Sequence, residues 1–209
     1  MNVSLTMAIL VITCITSFLA FNNAGLFGKM IFNPYLIHHN RQYYRFITGG
    51  LIHADFMHLL INMFVLYSFG GVVEIYYNHF FGDNGRNFFL LLYIGALVAS
   101  VIPTYKKNTE NPGDNGLGAS GAVSAVVFAY IIFNPLEKLY LFGIIPIPGI
   151  IFGGLYLYYC YYMAKKGGDN INHDAHMWGA IYGVVFTIML KPSLIRHFLN
   201  EVSDWRNIF

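Results

Sequence analysis

The sequence predicts an all-α, polytopic membrane protein in which residues 1–209 form a single domain of six transmembrane helices, and three observations predict it. Hydrophobic residues make up 56% of the chain and charged residues 11%, and mean hydropathy is positive, a balance too apolar for a soluble domain of this length. Six apolar runs, near 3–21, 57–77, 88–104, 118–133, 149–164 and 175–190, are long enough or nearly so to cross about 30 Å of hydrocarbon as helices. No internal repeat or low-complexity tract suggests another architecture.

The first run resembles a secretory signal in position, but its leader, MNVS, carries no basic side chain and its apolar stretch is long, so it is read as a permanent helix. Segment 22–56 is too long for a plain connector. Its aromatic content, as in FNPYLIHHNRQYYRFITGG, predicts ordered structure packed on or into the membrane surface. The remaining connectors, near 78–87, 105–117, 134–148 and 165–174, are short. The runs at 118–133 and 175–190 are brief for full spans and predict helices that begin below the membrane surface, where only protein or water can surround non-helical chain. The tail, KPSLIRHFLNEVSDWRNIF, reads as an amphipathic surface segment with Leu194, Phe198 and Trp205 meeting the interface.

Cys14 and Cys160 both fall inside apolar runs, so packing is expected of them rather than a disulfide. A net charge of +2 without a Lys/Arg cluster gives no nucleic-acid footprint. With a cytoplasmic amino terminus, Arg86, Lys138, Lys191, Arg196 and Arg206 fall inside. Lys29, Arg41, Arg45, Lys106, Lys107, Lys165 and Lys166 then fall outside, so loop charge leans slightly against that orientation.

Helices two, four and six run in the same direction whichever way the protein faces, so residues near their starts share one depth. Those starts carry His58 and Asn62, then Gly118-Ala-Ser120-Gly121, then Ala175-His176. Polar side chains at that depth face the bundle interior and need partners, which makes them functional candidates. Ser120 alone reads as a small residue that lets helices approach, and His176 alone as a bridge between helices. Gly179 and Gly183 form a small-xxx-small face that would bring helices four and six close. Such closeness puts an imidazole within hydrogen-bond reach of a hydroxyl. Histidine is the base best tuned to activate serine near neutral pH. His58 and Asn62, on one helix face, could donate to an oxyanion together with first-turn amides of helix four.

In these motifs, from about Tyr44 to Met189, the chain resembles the rhomboid intramembrane serine proteases of the basic six-helix bacterial type. The matching residues are Arg45, H-L-L-I-N at 58–62, Gly70-Gly71-Val-Val-Glu74, Gly118-Ala-Ser120-Gly121, and Ala175-His176 followed by Gly179 and Gly183. The resemblance implies a rhomboid-like bundle with a catalytic dyad of Ser120 and His176. His58, Asn62 and the Ser120 amide would lie around the oxyanion. It also implies transmembrane protein segments as substrates within membrane lipid, a bacterial cell membrane, cytoplasmic termini and cleavage near the outer face. No cofactor or metal is implied. Glu74 lies roughly 24 Å along the helix from His58 at 1.5 Å per residue and is read as structural.

Two positions depart from the family pattern. The Trp-Arg pair of the first loop is Tyr44-Arg45 here, and Ser124 stands where some members place an aromatic ring against the histidine. A hydroxyl or a neighbouring aromatic must then position His176.

Other chemistries fail on particular residues. A hydrolase elbow needs G-x-S-x-G, but position 122 is alanine and no strand precedes the serine. H-E-x-x-H is absent. His38-His39 and His173 with His176 are possible metal pairs, but in the sequence no clustered acid or thiolate completes either. Asp174, two residues before His176, is not counted as a triad member. The readings from other classes are an inactive rhomboid-like binder of membrane helices and a small transporter. A transporter needs charged or broken helices in both halves, and only Glu74 qualifies.

Overall fold

Every apolar run folds as a helix in the computed structural model, which describes residues 4–141 and 144–204. In chain order the elements begin with α1 (Leu5–Phe21) and three short helices, α2 (Ala24–Met30), α3 (Pro34–Asn40) and α4 (Arg45–Thr48). The long helices α5 (Phe56–Phe81) and α6 (Gly85–Lys107) follow, then α7 (Ser120–Phe133). A hairpin of β1 (Lys138–Leu141) and β2 (Ile145–Pro148) leads to α8 (Gly149–Lys166), α9 (His173–Leu190) and α10 (Ser193–Ser203). The antiparallel hairpin is a local exception to the all-helical expectation. Its Pro146 and Pro148 cannot extend a helix, and its isoleucines favour an extended chain.

Side-chain caps set half of the α-helix starts among the described residues. Asp55 accepts the His58 N–H, Asn33 that of Leu36, Asn23 that of Leu26 and Asn172 that of Ala175. Segment 22–56 is ordered as expected, and Arg45 is what ties it together. Its guanidinium is buried and donates to Gln42 Oε1 at 2.6 Å, Gly28 O at 2.9 Å and Ile31 O at 2.6 Å. Tyr44 lies beside it, its ring centroid 5.5 Å from the guanidinium carbon, so the Tyr-Arg pair still anchors the loop.

Helix α7 is the central post. Twelve of its 14 residues are buried, and it packs against α5, α6 and α9. A helix that is apolar on all sides belongs in the middle of a bundle, which is why this run can be so short. Around it, outward faces are apolar too: α5 exposes Phe64, Tyr67 and Ile75, and α1 exposes Val11, Ile15 and Leu19. Contiguous apolar surface on this scale calls for a non-aqueous surround. By length and composition the stretch Phe56–Lys107 is apolar enough to cross a membrane. His173–Leu190 passes together with Ser193–Ser203, to which it is bent by 114°.

Glu74 joins α1 to α5. Its carboxylate accepts from Ser4 Oγ at 2.7 Å, from Leu5 N at 2.8 Å, and from Thr6 N and Oγ1 at 3.0 Å each. The orphan amides at the start of α1 thus meet a negative charge where the helix dipole favours one. A side chain on Gly70 would collide with Thr6, so the missing Cβ is what lets α1 come this close to α5.

The tail departs from expectation. Leu194 is buried in the main core and Phe198 packs against that core, while Ile195 and Leu199 face outward. The cause is the sharp bend after α9, which folds α10 back under the bundle so that His197 Nε2 meets the last carbonyl of α7, Phe133 O, at 2.8 Å. Trp205, the third residue assigned to the interface, lies outside the described residues.

Candidate active site

The segment before α7 is positioned by a buried histidine. Gly118 adopts φ +101°, a conformation that glycine tolerates without strain, and a Cβ there would strike the His58 ring. Its N–H donates to Gly49 O at 2.9 Å. The next amide, Ala119 N–H, donates to His53 Nε2 at 3.3 Å, so the His53 proton sits on Nδ1, 3.0 Å from Ser17 Oγ. Ser17 in turn donates to Leu51 O. Burial, helped by neighbouring His58, holds His53 far below the usual imidazole range, at about 3, so this relay carries no charge.

Ser120 is the first residue of α7, and His176 stands one turn into α9. Ser120 Oγ and His176 Nε2 are 2.7 Å apart. Glycines make that distance possible: a methyl group on Gly179 would overlap the Gly121 carbonyl oxygen, and one on Gly183 that of Ala125. The small-xxx-small face therefore lets the backbones of α7 and α9 touch.

His58 and Asn62 on α5 line the same cavity as Ser120 and His176. Asn62 is buried and its Nδ2 donates to His58 O at 2.9 Å. The cavity measures about 1140 Å³. It runs from the loop at 114–118 to Val127 and Phe128 of α7 and Phe152 and Tyr156 of α8. All four sequence-selected residues thus come together on one cavity wall. Asp174 makes no bond to His176. The acid that does bond a histidine is Asp169, in the turn before α9, whose oxygens lie 3.0 and 3.2 Å from His173 Nε2. That bond chiefly holds the Asp169 carboxyl below its ordinary range.

The aromatic missing from position 124 comes from another helix. Tyr156 of α8 lies nearly parallel to the His176 ring, 14° between planes and 6.4 Å between centroids, and its hydroxyl is 2.7 Å from Ser124 Oγ. The serine at 124 holds the tyrosine that faces the histidine.

The two histidine pairs each gain a third donor in space. Cys160 of α8 joins His173 and His176, and Glu110 joins His38 and His39, with one ligand atom per residue within 4.8 Å of the others in each group. The sequence-based statement that no thiolate or acid completes these pairs is thereby corrected. Cys160 lies 13 residues from His173 in sequence, and only the turn between α8 and α9 brings them together.

The family profile of the Rhomboid domain matches residues 40–193, most of the chain. The chain belongs to the rhomboid family. As a rhomboid it is an integral membrane protein, in keeping with its apolar outer surface. It is 30% identical over 165 residues to RHOMBOID-like protein 12, mitochondrial, of Arabidopsis thaliana, covering 72% of this chain and 47% of the relative. It is 28% identical over 177 residues to Rhomboid-like protein 11, chloroplastic, of the same plant, covering 75% and 56%. It is 26% identical over 164 residues to Rhomboid protease GlpG of Haemophilus influenzae, covering 73% and 75%. This rhomboid therefore spans about half the length of the two plant relatives. Mitochondrial and chloroplastic names beside a bacterial one put the family in more than the bacterial membrane expected from sequence.

Sequence reasoning missed three residues of this rhomboid's site. His53 had a usable signal, an ionisable ring in the apolar stretch GGLIH five residues before His58. Tyr156 and Cys160 had none, because each is one of many apolar residues in the run 149–164 and is selected only by which face of α8 meets α7 and α9.

Proposed function

We propose that this rhomboid is an intramembrane serine endopeptidase that cuts transmembrane segments of other proteins. The observation that carries the reading is the 2.7 Å contact between Ser120 Oγ and His176 Nε2 at the wall of a large cavity. In the first step His176 Nε2 takes the hydroxyl proton as Ser120 Oγ attacks the scissile carbonyl. Negative charge then develops on the carbonyl oxygen, toward which His58, Asn62 and the first-turn amides of α7 can donate. The imidazolium passes its proton to the leaving amine, leaving an acyl ester on Ser120. A water molecule, deprotonated by the same histidine, hydrolyses the ester and restores the serine.

The six long helices are read as six membrane crossings in one domain, so the chain enters α1 and leaves α9 on the same side. By family resemblance we read that side as cytoplasmic and the cavity as opening toward the outer face. Substrate reaches Ser120 sideways between α5 and α8. Supporting this route, α8 buries only Gly149, Gly153 and Cys160, and cavity residues come from both helices.

The direct test is a fluorophosphonate probe applied to purified protein in detergent, with the labelled residue mapped by mass spectrometry. Labelling at Ser120 that disappears in His176→Ala is the expected result. An unlabelled Ser120 in folded protein would leave a binder of membrane helices as the better reading.

A further inference from the structure

We propose that Cys160, His173 and His176 form an inhibitory site for a zinc-like divalent transition metal, entered from the active-site cavity. The donors are a thiol and two imidazoles, the soft-to-borderline set that zinc prefers. Cys160 and His173 are both buried, at 0% and 4% exposure. The bonds already made assign the ligating atoms. Asp169 holds His173 Nε2, and His173 Nδ1 is buried without a hydrogen-bond partner. Ser120 holds His176 Nε2, which leaves Nδ1 of that ring.

A carboxylate gripping the far nitrogen of a histidine is the usual support behind a zinc-bound imidazole, because it fixes the tautomer and makes the ligand more basic. Asp169 already stands in that position. In a tetrahedral site, bonds of about 2.3 Å to sulfur and 2.0 Å to nitrogen separate ligands by about 3.5 Å. The present spread, within 4.8 Å, therefore needs the donors to draw together by about an ångström. Helix α8 has few buried contacts to oppose that shift. On binding, the Cys160 thiol gives its proton to solvent and the thiolate takes the metal. A water from the cavity fills the fourth position.

Inhibition follows from which nitrogen is used, and this part rests on the reading of His176 as the general base. With a metal on Nδ1, the remaining proton of the neutral ring sits on Nε2, facing Ser120. The ring then donates to the hydroxyl and cannot accept its proton. The metal would shut off the nucleophile while leaving the bundle intact.

Two readouts separate the parts. Titrate purified, reduced protein in detergent with Co²⁺ and follow the near-ultraviolet thiolate-to-metal absorption. The background carries Glu110→Gln, which weakens the exposed His38-His39-Glu110 group. The band should saturate at one Co²⁺ per chain, vanish in Cys160→Ala and persist in Cys14→Ala. Then measure substrate cleavage with added Zn²⁺. Rates should fall at least tenfold and recover with EDTA, whereas Cys160→Ala, compared with its own metal-free rate, should need at least tenfold more zinc for the same fractional loss. A missing band, or one that survives in Cys160→Ala, overturns the site. A Cys160-dependent band without zinc inhibition removes His176 from the ligand set. If the protein cleaves nothing even without metal, the protease reading fails, and the Co²⁺ titration still decides the site.

Discussion

Ser120 and His176 act as a unit in the proposed chemistry, so neither has a partial role to lose. Ser120→Ala and His176→Ala should each abolish cleavage of a model substrate while the variants keep wild-type helicity and thermal unfolding. Retained cleavage by purified Ser120→Ala would end the mechanism. Asn62→Ala removes one oxyanion donor among several and should cost about 10² to 10³ in rate. Tyr156 is tested by separating its ring from its hydroxyl. Tyr156→Phe keeps the ring facing His176 and loses the bond to Ser124. It should match Ser124→Ala, with a loss of several-fold in kcat at unchanged KM, and the double variant should be no worse than either single one. Tyr156→Ala should lose more. Additive losses for the pair would show that the two hydroxyls do not act through each other.

The helices were readable in the sequence because hydropathy in a membrane protein is a statement about length. Each of the six runs is found as a helix whose ends lie within a few residues of the apolar limits, the largest difference being α5, which continues to Phe81. There Tyr77 is fully buried with Phe81 and Phe89 rings on it, so packing carries the helix past the end of the apolar run. Parity was enough to gather Ser120, His58, Asn62 and His176, because it needs only direction and depth. It could not find Tyr156 or Cys160, since α8 runs the opposite way and its rotation depends on contacts. The face joining α7 and α9 gives a prediction at this scale. Gly179→Val should push the helices apart, lower the unfolding temperature and cut activity, with Gly183→Ala a milder case. An overpacked interface of this type costs about 1–3 kcal/mol. Unfolding in a graded detergent mixture, alongside probe labelling of Ser120, would reveal a glycine face that tolerates both changes.

At the scale of the molecule, a buried post with a loosely held wall suggests where motion is concentrated. Helix α7 is packed on nearly every side, whereas α8 is mostly exposed, with Tyr158, Tyr159, Tyr161 and Tyr162 turned outward. Aromatic rings at that height also suit the membrane interface. A substrate helix has its backbone hydrogen-bonded and shielded, so a local unwinding step must precede attack. Substrates with Gly or Pro near the cut should therefore be cleaved faster than versions carrying Leu there. A cysteine crosslink between α5 and α8 should block cleavage of membrane segments in liposomes. If the stiffened substrate and the crosslinked enzyme both work at full rate, sideways access with unwinding is wrong.

The knot at Glu74 also bears on how the chain is made. Synthesis produces α1 before α5, so the carboxylate that secures the amino end of α1 arrives about 70 residues later. An isolated carboxylate at that depth is costly, and so is a helix start with unmet amides. The amino end of α1 is thus secured by a segment made later, and until then α1 must wait, inserted but not fully docked. Glu74→Ala should prolong that wait into the finished protein. In stalled nascent chains, a crosslink between positions 6 and 70 should form only once residue 74 has cleared the exit tunnel. Equal crosslinking in shorter chains would show that α1 docks without the acid.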